Sequence, residues 1–249
     1  MKQSNLTCLS VLSLLLVSIQ CHAELDDRFF TGSLGFAGVN GFQLNSNPTY
    51  TEDEAVSQQN LEMRAEFRGG GAIDVALAYT YSPVVFQGEV GYLALDSDQL
   101  LLTSNGRAID FRSTSDPDKA VGVFSGIYGA ANLYYPIKVP SVNFVPYVGV
   151  GAGLLHYQFE TGNVNFGAEA SPSKKSSGML RAILGVDYRF SENSPYHWGV
   201  RYRYQSISNV KLDLVSEERG VTKKIEAEET IHLSDFSLVF GYRLDSRIK

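Results

Sequence analysis

The sequence of 249 residues contains 27 acidic and 21 basic side chains, and its formal net charge of −6 argues against a nucleic-acid partner, which requires a basic surface. With 14 Tyr, 14 Phe and 23 Gly, the composition favours β-strands, because aromatic side chains pack well on sheets and glycine permits bulges and close approaches. The two cysteines, Cys8 and Cys21, lie near the N-terminus, so a chain cleaved after residue 23 would contain neither a disulfide nor a thiolate metal site.

Residues 1–23 have the pattern of a cleaved secretory signal peptide. Lys2 provides a positive start, residues 6–19 form an apolar run, and Ala23 is a small residue suited to cleavage. The apolar run is shorter than the ~20 residues that a membrane-spanning helix needs. We therefore predict a signal peptide at 1–23 and a single domain at 24–249, which is an ordinary size for one β-barrel.

Eight stretches alternate between apolar and polar or small side chains, as strands do when their two faces meet different surroundings. In the clearest stretch, Ile73, Val75 and Leu77 share one face, and Asp74 lies on the other. Each stretch has about the 9 to 11 residues that a tilted membrane strand needs, or more. The eight stretches are 30–38, 73–82, 84–95, 121–135, 144–159, 180–190, 198–206 and 232–244.

The links between these stretches are alternately long and short. The long links cover about 40–72, 96–120, 160–178 and 207–230, and the short ones lie near 82–83, 136–143 and 191–195. Long loops at one end and tight turns at the other are typical of outer-membrane barrels. We therefore predict an all-β fold, an eight-stranded antiparallel up-and-down transmembrane β-barrel. Asn105-Gly106 predicts a hairpin, which would make ten strands if it joined the wall.

Charged and aromatic residues alternate in HWGVRYRYQS, residues 197–206. In a membrane barrel, lipid surrounds the outer face and the lumen is polar, so Tyr202 and Tyr204 should point outward and Arg201 and Arg203 inward. Side chains just fill an eight-stranded barrel, so inward charges must neutralise one another. The alternation predicts a structural ion-pair network in the lumen, formed by Asp74, Glu89, Arg181, Asp187, Arg189, Arg201, Arg203 and Arg243.

Two segments resemble a known family. Residues 132–135 (NLYY) before a proline, and residues 146–153 (PYVGVGAG), are similar to the fourth and fifth strands of small Gram-negative outer-membrane β-barrels, which include OmpA-like, opacity-type and porin-like surface antigen barrels. The resemblance implies an integral protein of the cell outer membrane that contacts outer-membrane lipid, lipopolysaccharide and the barrel-assembly machinery. Family members commonly end on an aromatic residue that this machinery reads, whereas here residues 241–244 (GYRL) precede five further residues.

The candidate catalytic residues are few. His232-Leu233-Ser234 has the His-x-Ser spacing of a lipid A deacylase barrel, but Leu244 stands about where an acidic residue would orient the histidine. His156 is interpreted as a rim or packing residue. We expect no enzymatic activity, no cofactor and no dedicated metal site, and a lipid A-modifying enzyme is the disfavoured alternative.

The long links are where partner binding is expected, because a rigid barrel can present variable segments. The link at 207–230 alternates through Leu212 and Leu214, which predicts that it prolongs the last two strands above the membrane. We expect an adhesin-like surface protein that meets a host or surface protein through these loops. A small porin-like channel is the main alternative.

Overall fold

The structure, a computed structural model, describes residues 29–46, 49–52, 55–57, 61–104, 107–110, 122–137, 139, 142–161, 174–191, 194–218 and 221–244. The predicted signal peptide lies outside these residues. The described part contains the strands β1 Phe29–Val39, β2 Gln43–Ser46, β3 Thr49–Glu52, β4 Ala55–Ser57, β5 Leu61–Tyr81, β6 Val84–Ser104, β7 Arg107–Asp110, β8 Gly122–Pro136, β9 Phe144–Thr161, β10 Lys175–Arg189, β11 Tyr196–Glu218 and β12 Val221–Leu244. In these ranges no helix is long and apolar enough to cross a membrane.

Eight of these strands close into a ring. The order is β1-β5-β6-β8-β9-β10-β11-β12, every neighbouring pair is antiparallel, and β12 returns to pair with β1 from Asp235 to Leu244. The prediction of an eight-stranded up-and-down barrel is confirmed. The ten-stranded alternative is wrong, because the hairpin predicted at Asn105-Gly106 pairs β7 only with the far end of β6, from Leu101 to Ser104.

Several ring strands run well past the predicted stretches, at the end of the barrel opposite the short turns. We call this the hairpin end and the other the turn end. The prediction that 207–230 prolongs the last two strands is confirmed, since Val210–Glu218 pairs with Val221–Glu229 beyond a bulge. Residues 40–72 were expected to be a loop, and this is wrong: β2, β3 and β4 lie there, together with the first part of β5.

The first part of β5 was not predicted as a wall strand because its apolar side chains face the opposite side. Within the apolar band of the wall, the apolar side chains of a strand point outward. In this upper part the sides are exchanged, since Ala65 and Phe67 are buried while Arg64 and Arg68 are exposed. The barrel therefore has the ordinary polarity of a water-soluble protein beyond the apolar band.

The outer wall of the barrel carries its apolar side chains. Val75 is 57% exposed whereas its neighbour Asp74 is 2% exposed, and Tyr202 is 41% exposed whereas Arg201 is 2% exposed. Because successive residues of a strand face opposite sides, one register error would reverse the whole pattern. The predicted inside-out arrangement of the wall is confirmed.

The lumen contains two layers of side chains. Buried charged and amide groups fill the middle of the barrel, and an apolar cluster that includes Phe42, Phe67, Phe124 and Phe159 lies towards the hairpin end. The sequence predicts a polar lumen, and this is correct only for the middle layer. The upper layer is apolar because the strands there are surrounded by water, so that their apolar side chains turn inward.

Two glycines make room for inward side chains of the middle layer. A Cβ atom on Gly35 would lie 2.9 Å from the Asp74 Cγ, and one on Gly91 would lie 2.8 Å from the Ile73 carbonyl oxygen and press against the Tyr128 ring. Gly35 and Gly91 are the cross-strand partners of Asp74 on its two sides. Gly35 therefore leaves room for the Asp74 carboxylate, and Gly91 leaves room for the Tyr128 ring.

If the outer wall faces lipid, the loss of stability caused by a charge on it should depend on how deep that charge lies in the membrane. We expect Val75→Arg to lower the free energy of unfolding by about 2–4 kcal/mol, because it places a charge in the middle of the apolar band. The exposed Ser208, near the upper edge of the band, provides the control, since Ser208→Arg should cost about 0–1 kcal/mol. Urea unfolding in phospholipid vesicles measures both variants, and equal losses would contradict a lipid-facing wall.

Candidate functional site in the barrel lumen

Six buried charged side chains form a cluster in the middle of the lumen. Asp74 comes from β5, Glu89 from β6, Arg181 from β10, Arg201 and Arg203 from β11, and Asp235 from β12, and each of the six is at most 4% exposed. Three positive charges therefore face three negative ones. Such a balance is required where charges are removed from water, because an unmatched buried charge costs several kcal/mol.

The Glu89 carboxylate lies at the centre of the cluster. It accepts hydrogen bonds from Nη1 of Arg181 at 2.7 Å, Nη1 of Arg201 at 3.1 Å and Nη1 of Arg203 at 2.6 Å. Asn132 Nδ2 adds a longer bond of 3.5 Å. Because β6 lies across the ring from β10 and β11, these contacts span the lumen and tie opposite walls together.

The two aspartates complete the pairing of the β11 arginines. Asp74 accepts two bonds from Arg201 Nη2, at 3.0 and 2.8 Å, and its Oδ2 lies 3.1 Å from Arg203 Nη1. Asp235 accepts from Arg203 Nε at 2.8 and 3.0 Å and from Gln205 Nε2 at 2.6 Å. Charge-assisted bonds of this length are among the strongest in proteins.

Neutral groups accept some of the remaining hydrogen bonds that the arginines can donate. Gln205 Oε1 accepts from Arg181 Nε at 2.9 Å, and Ser237 Oγ accepts from Arg201 Nε at 3.3 Å. The Arg181 guanidinium also lies over the Tyr128 ring, 4.5 Å from its centroid. Among the described residues, Nη2 of Arg181 and of Arg203 have no hydrogen-bond partner. The attraction of the ring for a cation offsets part of that loss for Arg181.

The structure brings five of the eight predicted lumen residues into this cluster: Asp74, Glu89, Arg181, Arg201 and Arg203. The other three, Asp187, Arg189 and Arg243, are half-buried nearer the turn end. They face the same side of their strands as the cluster but lie one or more layers away along the barrel axis. Asp187 is within electrostatic reach of Arg189 and Arg201.

Asp235 is the one member of the cluster that was not predicted from the sequence. It is the cross-strand partner of Arg203 and shares the inward parity of Arg243, which was predicted to point inward from the same strand. Counting back from Arg243 in steps of two would have found it. The available signal was therefore the alternation itself, applied to the whole of β12.

Aromatic rings of the upper layer close the lumen above the charges. Phe42 stacks on Phe67 with centroids 4.3 Å apart, and Phe124 stacks on Tyr157 at 5.2 Å. Phe67 also contacts Phe124 and Phe159 edge-on, at 5.9 and 5.7 Å. Edge-to-face and offset contacts of this kind are favoured by the ring quadrupoles. Together the two layers occupy the interior across its width.

The histidines considered as catalytic candidates lie on the outer wall. The His232 ring stacks on Tyr204 at 5.8 Å, and Ser234 Oγ accepts a hydrogen bond from Asn40 Nδ2 at 3.0 Å. His156 is exposed and its Nδ1 lies 2.9 Å from Ser176 Oγ. Within the described ranges, no group of three or more His, Cys, Asp or Glu residues is placed to hold a metal ion.

Comparison with known proteins identifies the family. The model of the outer membrane protein beta-barrel domain matches residues 9–243. The chain belongs to this family. No curated protein matches the sequence.

Solved structures show the same fold in other outer-membrane barrels. OprG from Pseudomonas aeruginosa has 16% sequence identity and a TM-score of 0.54, with 89% of this chain and 98% of OprG covered. Neisserial surface protein A has 13% identity and a TM-score of 0.49, with 86% and 97% covered. The family match identifies this protein as an outer-membrane β-barrel. In such barrels the short turns face the periplasm and the long hairpins face outward.

The ion-pair cluster predicts how this outer-membrane barrel responds to loss of one charge. We expect Arg203→Met to lower the free energy of unfolding by about 3–5 kcal/mol, because Asp235 and Glu89 would stay buried with too few cations. The double variant Arg203→Met, Asp235→Leu leaves two charges of each sign and should recover part of the loss. Urea unfolding of the barrel in lipid vesicles measures both.

A rim arginine provides the matched control for this experiment. Arg64 pairs with Glu66 at 2.6 Å, but its side chain is half exposed. Arg64→Met should therefore cost at most about 1 kcal/mol. A double variant that is no more stable than Arg203→Met alone would show that charge balance is not what the cluster provides.

Proposed function

We propose that this protein is a non-catalytic, non-conducting surface barrel of the outer membrane that binds a host or surface protein through its extracellular hairpins. Lipopolysaccharide and outer-membrane lipid surround its wall. The observation that carries the proposal is the filled lumen: a barrel closed by an ion-pair layer and an aromatic layer has its solvent-accessible chemistry on the outside.

The hairpin end supports a binding role through its length and order. The paired segments Val210–Glu218 and Val221–Glu229 each have nine residues, which at about 3.3 Å per residue extend roughly 30 Å. β3 adds to the edge of this hairpin by pairing with β12 between Lys223 and Glu226. A pre-ordered sheet loses less conformational entropy on binding than a flexible loop.

Charge gives this hairpin a recognisable surface. Glu226 and Glu228 are exposed and Glu229 is half-buried on β12, and Lys211 pairs with Glu228 at 3.1 Å across the strands. Charged rims act mainly on association rate and on partner choice. The acidic excess favours a partner with a basic surface.

The outer-wall histidines do not favour catalysis. Ser234 is engaged by Asn40 and His232 by the Tyr204 ring, so neither is arranged as nucleophile and base. A triad needs the base to contact the nucleophile and a third group to orient the base. This arrangement supports the non-catalytic assignment over a lipid A-modifying enzyme.

Conduction tests the first half of the proposal. Purified protein in planar lipid bilayers should give little or no current, because the lumen is occupied by side chains and open aqueous channels need about 16 strands. Large, stable conductance steps would support the porin-like alternative instead. Heat-modifiable migration on a gel verifies that the tested sample is folded.

Shortened hairpins test the second half. Asp213 and Glu226 are cross-strand partners, so residues 214–225 can be replaced by Asn-Gly, which closes a two-residue hairpin. Likewise Leu101 and Asp110 are partners, and residues 102–109 can be replaced in the same way. We expect at least one variant to lose most of the adhesion that cells displaying the barrel show to cultured host-cell monolayers. Unaltered adhesion by two correctly assembled variants would refute binding through these hairpins.

A further inference from the structure

One periplasmic turn exposes apolar side chains that belong neither to the ion-pair cluster nor to the extracellular hairpins. Between β8 and β9, Ile137 and Val139 are each 44% exposed and Val142 is 49% exposed, and Phe144, the first residue of β9, is 50% exposed. The other two turns have the sequences Ser82-Pro83 and Ser191-Glu192-Asn193-Ser194-Pro195. A turn bathed in water would have little reason to concentrate apolar side chains in this way.

Backbone hydrogen bonds hold this turn against the lower edge of the wall. The Ile137 amide donates to the Pro146 carbonyl at 2.7 Å, and the Arg189 amide donates to the Asn143 carbonyl at 3.0 Å. The turn therefore continues the sheet beside β9 and β10. The two ends of the turn, at Ile137 and Asn143, are held by the same ladder that holds the wall.

The exposed turn residues are continuous with the aromatic belt of the lipid-facing wall. The Phe144 ring lies 5.0 Å from that of Tyr188, which in turn contacts Phe190 at 5.6 Å and Trp198 at 5.8 Å. Phe190 is 62% exposed and Trp198 is 39% exposed. Aromatic girdles of this kind lie at the interface between membrane and water.

We propose that the turn formed by Ile137, Val139, Val142 and Phe144 inserts into the inner leaflet of the outer membrane and binds phospholipid acyl chains. Continuity with the lipid-facing wall selects lipid as the occupant. The apolar surface of the barrel then reaches further towards the periplasm at the β8–β9 turn than at the polar β10–β11 turn. The barrel is immersed more deeply on that side.

Tryptophan fluorescence in protein-free lipid vesicles tests this insertion. The chain contains one tryptophan, Trp198, so the wild type provides a reference for a residue on the wall. In a Trp198→Phe background, Val139→Trp places the probe on the apolar turn and Ser191→Trp places it on the polar turn. Val142→Trp serves as a second probe if Val139→Trp does not fold. Vesicles of phosphatidylcholine and phosphatidylglycerol, with and without brominated acyl chains, measure contact with lipid, and iodide on both sides of the membrane measures contact with water.

We expect brominated lipid to quench the Val139→Trp protein about as strongly as wild type, and iodide to quench it severalfold less than the Ser191→Trp protein. Strong quenching by iodide without quenching by brominated lipid would overturn the proposal, and would leave the turn as a surface for another periplasmic partner. Equal quenching of both turns by lipid would also overturn it, because the barrel would then be immersed evenly.

Discussion

The interior of this barrel depends on one carboxylate that holds three guanidinium groups across a narrow lumen. Glu89 on β6 reaches Arg181 on β10 and both arginines of β11, so this carboxylate ties opposite walls together. Asp74 and Asp235 supply the two further negative charges that balance the arginines. Without this balance the narrow ring would enclose unmatched charge, which no surrounding water could compensate.

The polarity of the surroundings changes along the barrel axis, and the direction in which the apolar side chains of a strand point changes with it. In the apolar band, side chains such as Val75 point to lipid and Asp74 points inward. Further out, Arg64 points to water and Phe67 points inward. The bulges in β5 between Glu66 and Gly70, and in β11 between Ile207 and Val210, lie where this change occurs. A bulge shifts the parity of these two strands by one residue, whereas β12 keeps one inward parity, since Leu233 and Asp235 are both buried and only the residue type changes.

A rigid base and projecting hairpins suit a protein that works at the cell surface. The charged layer and the aromatic layer leave little freedom in the lumen, so the orientation of the β11–β12 hairpin is fixed by the wall below it. At the other end, the turn between β8 and β9 exposes apolar side chains on one side of the ring only, where we propose contact with lipid. The proposed binding outside and the proposed lipid contact inside would therefore rest on separate parts of the same ring.

The sequence by itself determined the up-and-down barrel, the inside-out wall and the inward direction of Arg201, Arg203, Asp74 and Glu89, whereas the choice of eight strands over ten needed the pairing of β7. These features follow from local alternation and from the sorting of long and short links, which depend only on neighbours along the chain. Only the tertiary structure decided which inward charges meet. Asp235 joins the cluster while Arg243 of the same strand lies nearer the turn end, and Phe42 reaches the lumen from a segment that was expected to be a loop. Contacts across the lumen depend on the stagger of the strands around the ring, and local alternation carries no information about that stagger.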